Sequence, residues 1–333
     1  LSSIPVFGSP GMPMMGMPPS PKQVFISELE RDFEVVRVSG SSTKIDDEVK
    51  VLLVIHPKGL SETTEFAIDQ FILRGGKVIA LLDSYAYFDL IPTPQGMQPG
   101  GSSSNLERLT KAWGVTFETE KMLADLQFMT GKGNRALPTL LTLNETAYSP
   151  TDIATAQLGE VLLAFTGAFT SSLTPGLKQV DLIKSSGYSE LVSKEIAMEK
   201  GEQLATIIKP SGQSYPIAIR LEGQFKTAFP DGMPKSATNE SVSKSPVVKA
   251  DASKGPASKE ADVAAPVSEV LTQSKENNAV ILLKYVDKLN QTTGMIDIIN
   301  DIIQNGVKAF LKIFKTACIN KSSSPYISGI LGS

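Results

Sequence analysis

The chain has 333 residues, 41% apolar and 20% charged, the composition of an ordinary globular protein able to bury a sizeable core. Its 32 basic and 35 acidic side chains give a net charge of −3, which lacks the basic excess of a nucleic-acid binder. One cysteine and one histidine exclude a disulfide framework and a cysteine-based zinc site, and leave the redox compartment open.

No uninterrupted apolar run reaches the roughly 18 residues that span a bilayer. The opening Leu1-Ser2-Ser3-Ile4 has no methionine and no charged signal region, so the sequence reads as a fragment with any membrane anchor outside it. Residues 1–7 read as the end of a strand. A loop from Gly8 to Pro21 follows, rich in Gly, Pro and Met. Ser20-Pro21 predicts a helix cap with proline at the first position, and Val24, Phe25 and Leu29 supply an apolar face to about Arg31. Phe33 to Val38 reads as a strand.

Val49 to Ile55 is almost wholly β-branched or Leu, a strand buried on both faces. Ser61 caps the next helix, Glu62 suits the positive end of its dipole, and Arg74-Gly75-Gly76 stops it. Lys77 to Leu82 is the next buried strand, ending at Asp83-Ser84. This strand–helix alternation with short connections predicts a parallel sheet. Pro92 to Ser104 reads as a loop, Asn105 to Trp113 as a short helix closed by Gly114, and Val115 to Glu118 as a strand. From Leu137 to Phe229 the pattern is more β-like, with 161–165, 204–208 and 215–221 as strands. Met233 to Lys275 is a low-complexity Ser/Ala/Lys/Pro stretch without aromatics, a disordered linker or long loop. Ala279 to Val286 is a further strand, and 295–318 an amphipathic helix with acids first and lysines last.

The expected fold is therefore α/β, a doubly wound, mainly parallel sheet with flanking helices and a more β-rich second half. Four regions are expected: residues 1–135, a Rossmann- or flavodoxin-like sheet domain; 136–232, its β-rich continuation; 233–276, the linker; and 277–333, a returning strand and the amphipathic helix.

The segments Val51 to Glu62 and Ala67 to Asp83 resemble the auxiliary component of ABC transporters associated with gliding motility, whose extracytoplasmic part is related to an intraflagellar-transport protein domain. Leu1 to Gly8 is similar to that family's opening strand and turn. Leu106 to Gly114, Leu158 to Phe169 and Ile219 to Gly232 follow in the family's order, so the resemblance covers roughly residues 1–235. One difference lies near residue 287, where the family implies a strand closing on an Asp-Ser-Asp-like end and this chain reads Leu283-Lys284-Tyr285-Val286-Asp287. The resemblance implies a membrane-anchored protein of the bacterial cytoplasmic membrane, facing the periplasm or exterior and working beside a permease and an ATPase. It carries over no catalytic residues.

The chemical inventory is short. A Cys–His pair would need Cys318 and His56, a Ser-His-Asp triad would also need His56, and no G-x-S-x-G elbow is present. Gly131-Lys132-Gly133 lacks the earlier glycine and the Ser/Thr of a P-loop. Catalytic residues, a metal site and a cofactor are therefore expected to be absent. In doubly wound sheets ligands lie beyond the carboxyl ends of the strands. There the candidate ligand-binding residues are Lys58, Gly59, Ser61, Asp83 and Ser84, with the Ser61 helix offering free N–H groups to an anion or being an ordinary capped helix. Met12, Met14, Met15 and Met17 are soft Cu(I) ligands in principle, although clustered methionines more often pack or meet a partner. The amphipathic 295–318 helix suits packing on the domain or a partner better than a membrane surface. The leading expectation is a non-catalytic transport or assembly subunit. The alternatives are a small-molecule or anion receptor using the strand-end loops, and a hydrolase-like or amidotransferase-like enzyme on the same scaffold.

Overall fold

The structure, a computed structural model, describes residues 1–11, 19–87, 89–93, 96–152, 155, 159–234 and 270–284. In chain order, helix α1 (Val24–Asp32) precedes strand β1 (Val51–Ile55), helix α2 (Glu62–Leu73) and strand β2 (Lys77–Ala86). A hairpin of β3 (Leu90–Thr93) and β4 (Gly96–Pro99) leads to β5 (Ser102–Ser104) and helix α3 (Glu107–Ala112). Then come β6 (Val115–Phe117), β7 (Lys121–Asp125), β8 (Met129–Thr130), β9 (Leu137–Leu143), β10 (Val161–Ala164), β11 (Phe169–Ser171), β12 (Leu177–Lys184) and β13 (Ser189–Ser193). Helices α4 (Lys194–Lys200) and α5 (Leu204–Ile207), then β14 (Pro216–Gly223) and β15 (Asn278–Lys284), complete the described elements.

The principal sheet has six strands in the order β1-β2-β15-β14-β12, with β5 joined to β2. The β1, β2 and β15 strands are parallel; β14 and β12 run antiparallel to their neighbours. The sheet is thus mixed, which corrects the expectation of a mainly parallel one. Parallel neighbours need a crossover, and α2 provides it between β1 and β2. In the other half, β14 pairs antiparallel with both β12 and β15.

Alternate side chains of the central strands enter two cores. Leu52, Val54, Val78, Ala80, Ile219, Leu221, Val280 and Leu282 meet α2, α3 and Trp113. Ile55, Ile79, Leu81, Ile217 and Ile281 meet Ile26 and Leu29 of α1 and the β9–β10 pair. Among the described residues, α2 and α3 contribute to the first core and α1 to the second. Trp113 packs edge-on against Phe225 at 5.3 Å, and Phe66 against Phe229 at 5.4 Å. A third, smaller core joins Met122, Ala124 and Val192 of the β7–β13 pair to Leu204 and Ile208.

Several expected elements differ. The opening residues make one parallel bridge, Ser2 to Ile55, rather than a strand. Ser20 does not cap α1: it pairs through its backbone with Ser9, and the cap position falls on Gln23. Residues 33–38 form no strand, because they stand off the outer edge of β1. Between them lies a cavity of about 850 Å³ whose lining includes Ile4, Val6, Ile26, Leu29, Val35 and Leu53. The expected loop 92–104 carries the end of β3 and all of β4 and β5, and β2 runs on through Asp83-Ser84 to Ala86. Residues 204–207 are helical instead of extended: only Leu204 and Ile208 are buried of that stretch, and a spacing of four puts them on one helical face. The methionine loop 12–18, most of the low-complexity stretch (235–269), and the 295–318 segment with Cys318 lie outside the described residues.

Asn278 pins the start of β15. Its buried amide donates to Ile72 O and Gly76 O, each at 2.8 Å, and its Oδ1 accepts from Lys77 Nζ at 2.5 Å. Asn278→Ala would take a donor from Ile72 O, which keeps the Gly75 N–H at 2.9 Å, and from Gly76 O, and would remove the acceptor of Lys77 Nζ. A loss of about 2 kcal/mol is expected in urea unfolding; a loss under about 0.5 kcal/mol, the range of a neutral surface change, would contradict this role.

Candidate functional site

The carboxyl ends of β1, β2 and β15 lie side by side, and each carries a charged or titratable residue. His56 follows β1, Asp83 lies within β2, and Lys284 ends β15. All three are buried. His56 holds a φ of +45°, an unusual backbone state for a non-glycine residue, and its N–H is fixed by Leu81 O at 2.9 Å.

Lys284 Nζ donates to Asp83 Oδ1, forming a buried ion pair between residues 201 apart. Asp83 Oδ1 also accepts the Tyr85 N–H at 2.8 Å. Among the described residues Asp83 Oδ2 has no hydrogen-bond partner. Burial pushes the Asp83 carboxyl up, against the opposing pull of the Lys284 ammonium.

The imidazole of His56 lies between two serines of β5. Ser104 Oγ is 2.9 Å from Nδ1 and Ser102 Oγ is 3.2 Å from Nε2. Ser102 in turn donates to Asp89 Oδ2, which also receives Lys58 Nζ. Burial alone would raise the Asp89 carboxyl, but the Lys58 and Ser102 bonds outweigh it and hold that carboxyl below its ordinary range. Burial pushes the His56 imidazole down, with Asp83 and Asp89 opposing and Lys58 and Lys284 adding to the effect.

The sequence-predicted residues occupy different places around this cluster. Lys58 is partly exposed and tied to Asp89. Gly59 has φ +64° and open space where a side chain would begin. Ser61 caps α2, its Oγ accepting from Thr64 N at 3.2 Å and sharing bonds with the hydroxyls of Thr63 and Thr64. Asp83 and Ser84 are strand residues rather than loop residues, and Ser84 Oγ donates to Phe165 O at 2.7 Å. Only Lys58 and Asp83 belong to the connected cluster. Sequence reading missed Asp89, Ser102, Ser104 and Lys284. A signal existed for the last: a lone lysine closing the apolar run Ala279 to Leu283 needs a buried counter-ion. The serines carried none, because a Gly/Pro/Ser stretch does not reveal a strand added to β2.

Chemically the arrangement is a buried polar plug. Among the described residues no group of acidic, His or Cys side chains could hold a metal, and His56 has no exposed surface.

Lys284→Met would strand the Asp83 carboxylate in a dry site, at an expected cost of about 3–5 kcal/mol. Adding Asp83→Asn should recover much of that loss, because the uncompensated charge then disappears. Chemical denaturation of the two single variants and the double variant measures the coupling; additive losses would show that the two side chains do not act as a pair.

No curated protein matches the chain. The family described as "ABC-type uncharacterized transport system" matches residues 7–281, from the opening turn to Ile281 within β15. That span takes in the principal sheet as far as Ile281, most of both of its cores and all of the strand-end cluster except Lys284, and it makes the chain a member of this family of ABC transport auxiliary components.

Proposed function

We propose that the chain is the extracytoplasmic, non-catalytic part of a membrane-anchored auxiliary subunit of a gliding-motility-type ABC transporter. It works through protein contacts with a permease and an ATPase. The observation that carries this reading is the family match across residues 7–281. The relation to the intraflagellar-transport domain belongs to the same proposal and rests on the resemblance of residues 1–235.

The chemistry of the strand ends supports an accessory role. The side chains that a catalyst would present to substrate are committed to one another: His56 to Ser102 and Ser104, Lys58 to Asp89, Asp83 to Lys284. An anion receptor at Lys58, Gly59 and Ser61 would compete with Asp89 for the Lys58 ammonium. Among the described residues no helix is long and apolar enough to cross a membrane, so the anchor of this proposal lies elsewhere in the protein.

Purification of the full-length protein from native membranes, with mass spectrometry of what accompanies it, tests the assignment. A permease and an ATPase should be recovered together. Recovery of neither, with the bait intact and membrane-bound, would refute the transporter-subunit reading.

A further inference from the structure

The hydrogen bonds around His56 have a determinable direction. Ionised Asp89 can only accept, so Ser102 spends its hydroxyl proton on Asp89 Oδ2 and must accept from His56 Nε2–H. Ser104 Oγ accepts the Asp83 N–H at 3.1 Å, leaving its own proton for His56 Nδ1. The result is one directed chain: Asp83 N–H to Ser104, Ser104 to Nδ1, Nε2–H to Ser102, Ser102 to Asp89, with Lys58 completing Asp89 from outside. It requires the neutral imidazole protonated on Nε2.

Three of those partners hold one segment to the sheet. Asp89, Ser102 and Ser104 bracket the β3–β4 hairpin, and β5 pairs with β2 only through Asp83–Ser104 and Ala86–Ser102, with an irregular register between. The described backbone bonds at its base are few, including Asp89 N–H to Ala86 O at 3.2 Å and Gly100 N–H to Asp89 O at 2.8 Å. The imidazole chain joins these bonds at the base of the segment.

A second proton on His56 makes Nδ1 a donor. Ser104 would then face two N–H donors, and its hydroxyl proton would lose its acceptor. The charged groups facing the ring are Asp83 from β2, Asp89 and Lys58 from the adjoining loops, and Lys284 from β15. The two carboxylates favour the extra charge, Asp89 Oδ2 lying 3.8 Å from Nε2, but the loss of water together with the two ammonium groups outweighs them.

We propose that the segment carrying β3, β4 and β5 is an acid-released latch, lifted from the carboxyl end of the sheet when His56 takes up a proton, while the sheet itself stays folded. The sign follows from linkage. Burial lowers the imidazole in the closed state, and the opened, hydrated ring returns toward the ordinary value of about 6.5. Opening therefore binds protons, and the closed state loses stability as pH falls below about 6.5 and is insensitive above it.

Hydrogen–deuterium exchange of the full chain from about pH 7.5 to about pH 5, corrected for intrinsic rates, reads this directly. Protection across β3, β4 and β5 should fall by about tenfold, equivalent to about one pH unit of single-proton linkage, with β1, β2 and β14 unchanged. His56→Asn tolerates the positive φ and does not titrate, so its profile should be flat. Ser104→Ala removes the donor that favours the neutral ring and so brings the closed-state imidazole nearer its open-state value, and the fall in protection from about pH 7.5 to about pH 5 should be smaller than in the parent. The proposal fails if the parent shows no pH dependence, if His56→Asn keeps the parent's profile, if opening spreads to the whole sheet, or if Ser104→Ala shows as large a pH-dependent fall as the parent.

Discussion

Asp83 and Lys284 meet inside the protein although 201 residues separate them. Removing both charges from water costs several kcal/mol each, and their attraction returns that cost only when the contact is close. The pair therefore contributes less as net stabilisation than as a constraint on β15. A shift of this strand by one residue would invert every side chain along it, send Val280 and Leu282 to the wrong core, and carry Lys284 away from Asp83. Since β15 lies between β2 and β14, its register sets that of both halves of the sheet. Asn278 fixes the other end of the same strand, so it is held by a polar contact at each terminus and by apolar packing between.

What could be read in advance follows a physical line. β1, α2 and β2 were legible because each is a continuous local signal: an apolar run, a Ser61 cap with Glu62 behind it, a glycine stop, another apolar run. The mixed order of the sheet was not, because antiparallel pairing of β14 with β15 depends on partners more than 50 residues apart in places where the local pattern is equally compatible with either direction. Residues 204–208 misled for a related reason: β-branched Thr206 and Ile207 favour a strand, but burial of Leu204 and Ile208 against Met122 and Val192 decides in favour of a helix. At the strand ends, the position of the site was legible from the sheet, and Lys58 and Asp83 were identified. Of the residues that complete the cluster, Ser102 and Ser104 were hidden in a stretch whose composition resembles a loop, whereas Lys284 closes an apolar strand.

The strand ends of an open α/β sheet are where such folds place ligands. Here that space is filled by the protein's own serines, carboxylates and ammonium groups. An auxiliary transport component without a substrate pocket at this end would present its outer surfaces to its neighbours, and the buried polar plug would serve the scaffold. A plug made of directed hydrogen bonds also carries information that an apolar one cannot, because its integrity depends on the protonation of one ring.

The position of β15 also sets an order in time. During synthesis, β1 and β2 leave the ribosome early and β12 and β14 much later, yet the two groups share no ladder until residues 278–284 emerge to bridge them. Until then β2 and β14 each expose an unpaired edge flanked by apolar side chains, the kind of surface that recruits chaperones or stray strands. The stretch between residues 234 and 270 lengthens that interval by the time needed to translate it. The two halves of the principal sheet can join only once residues 278–284 are in place between them.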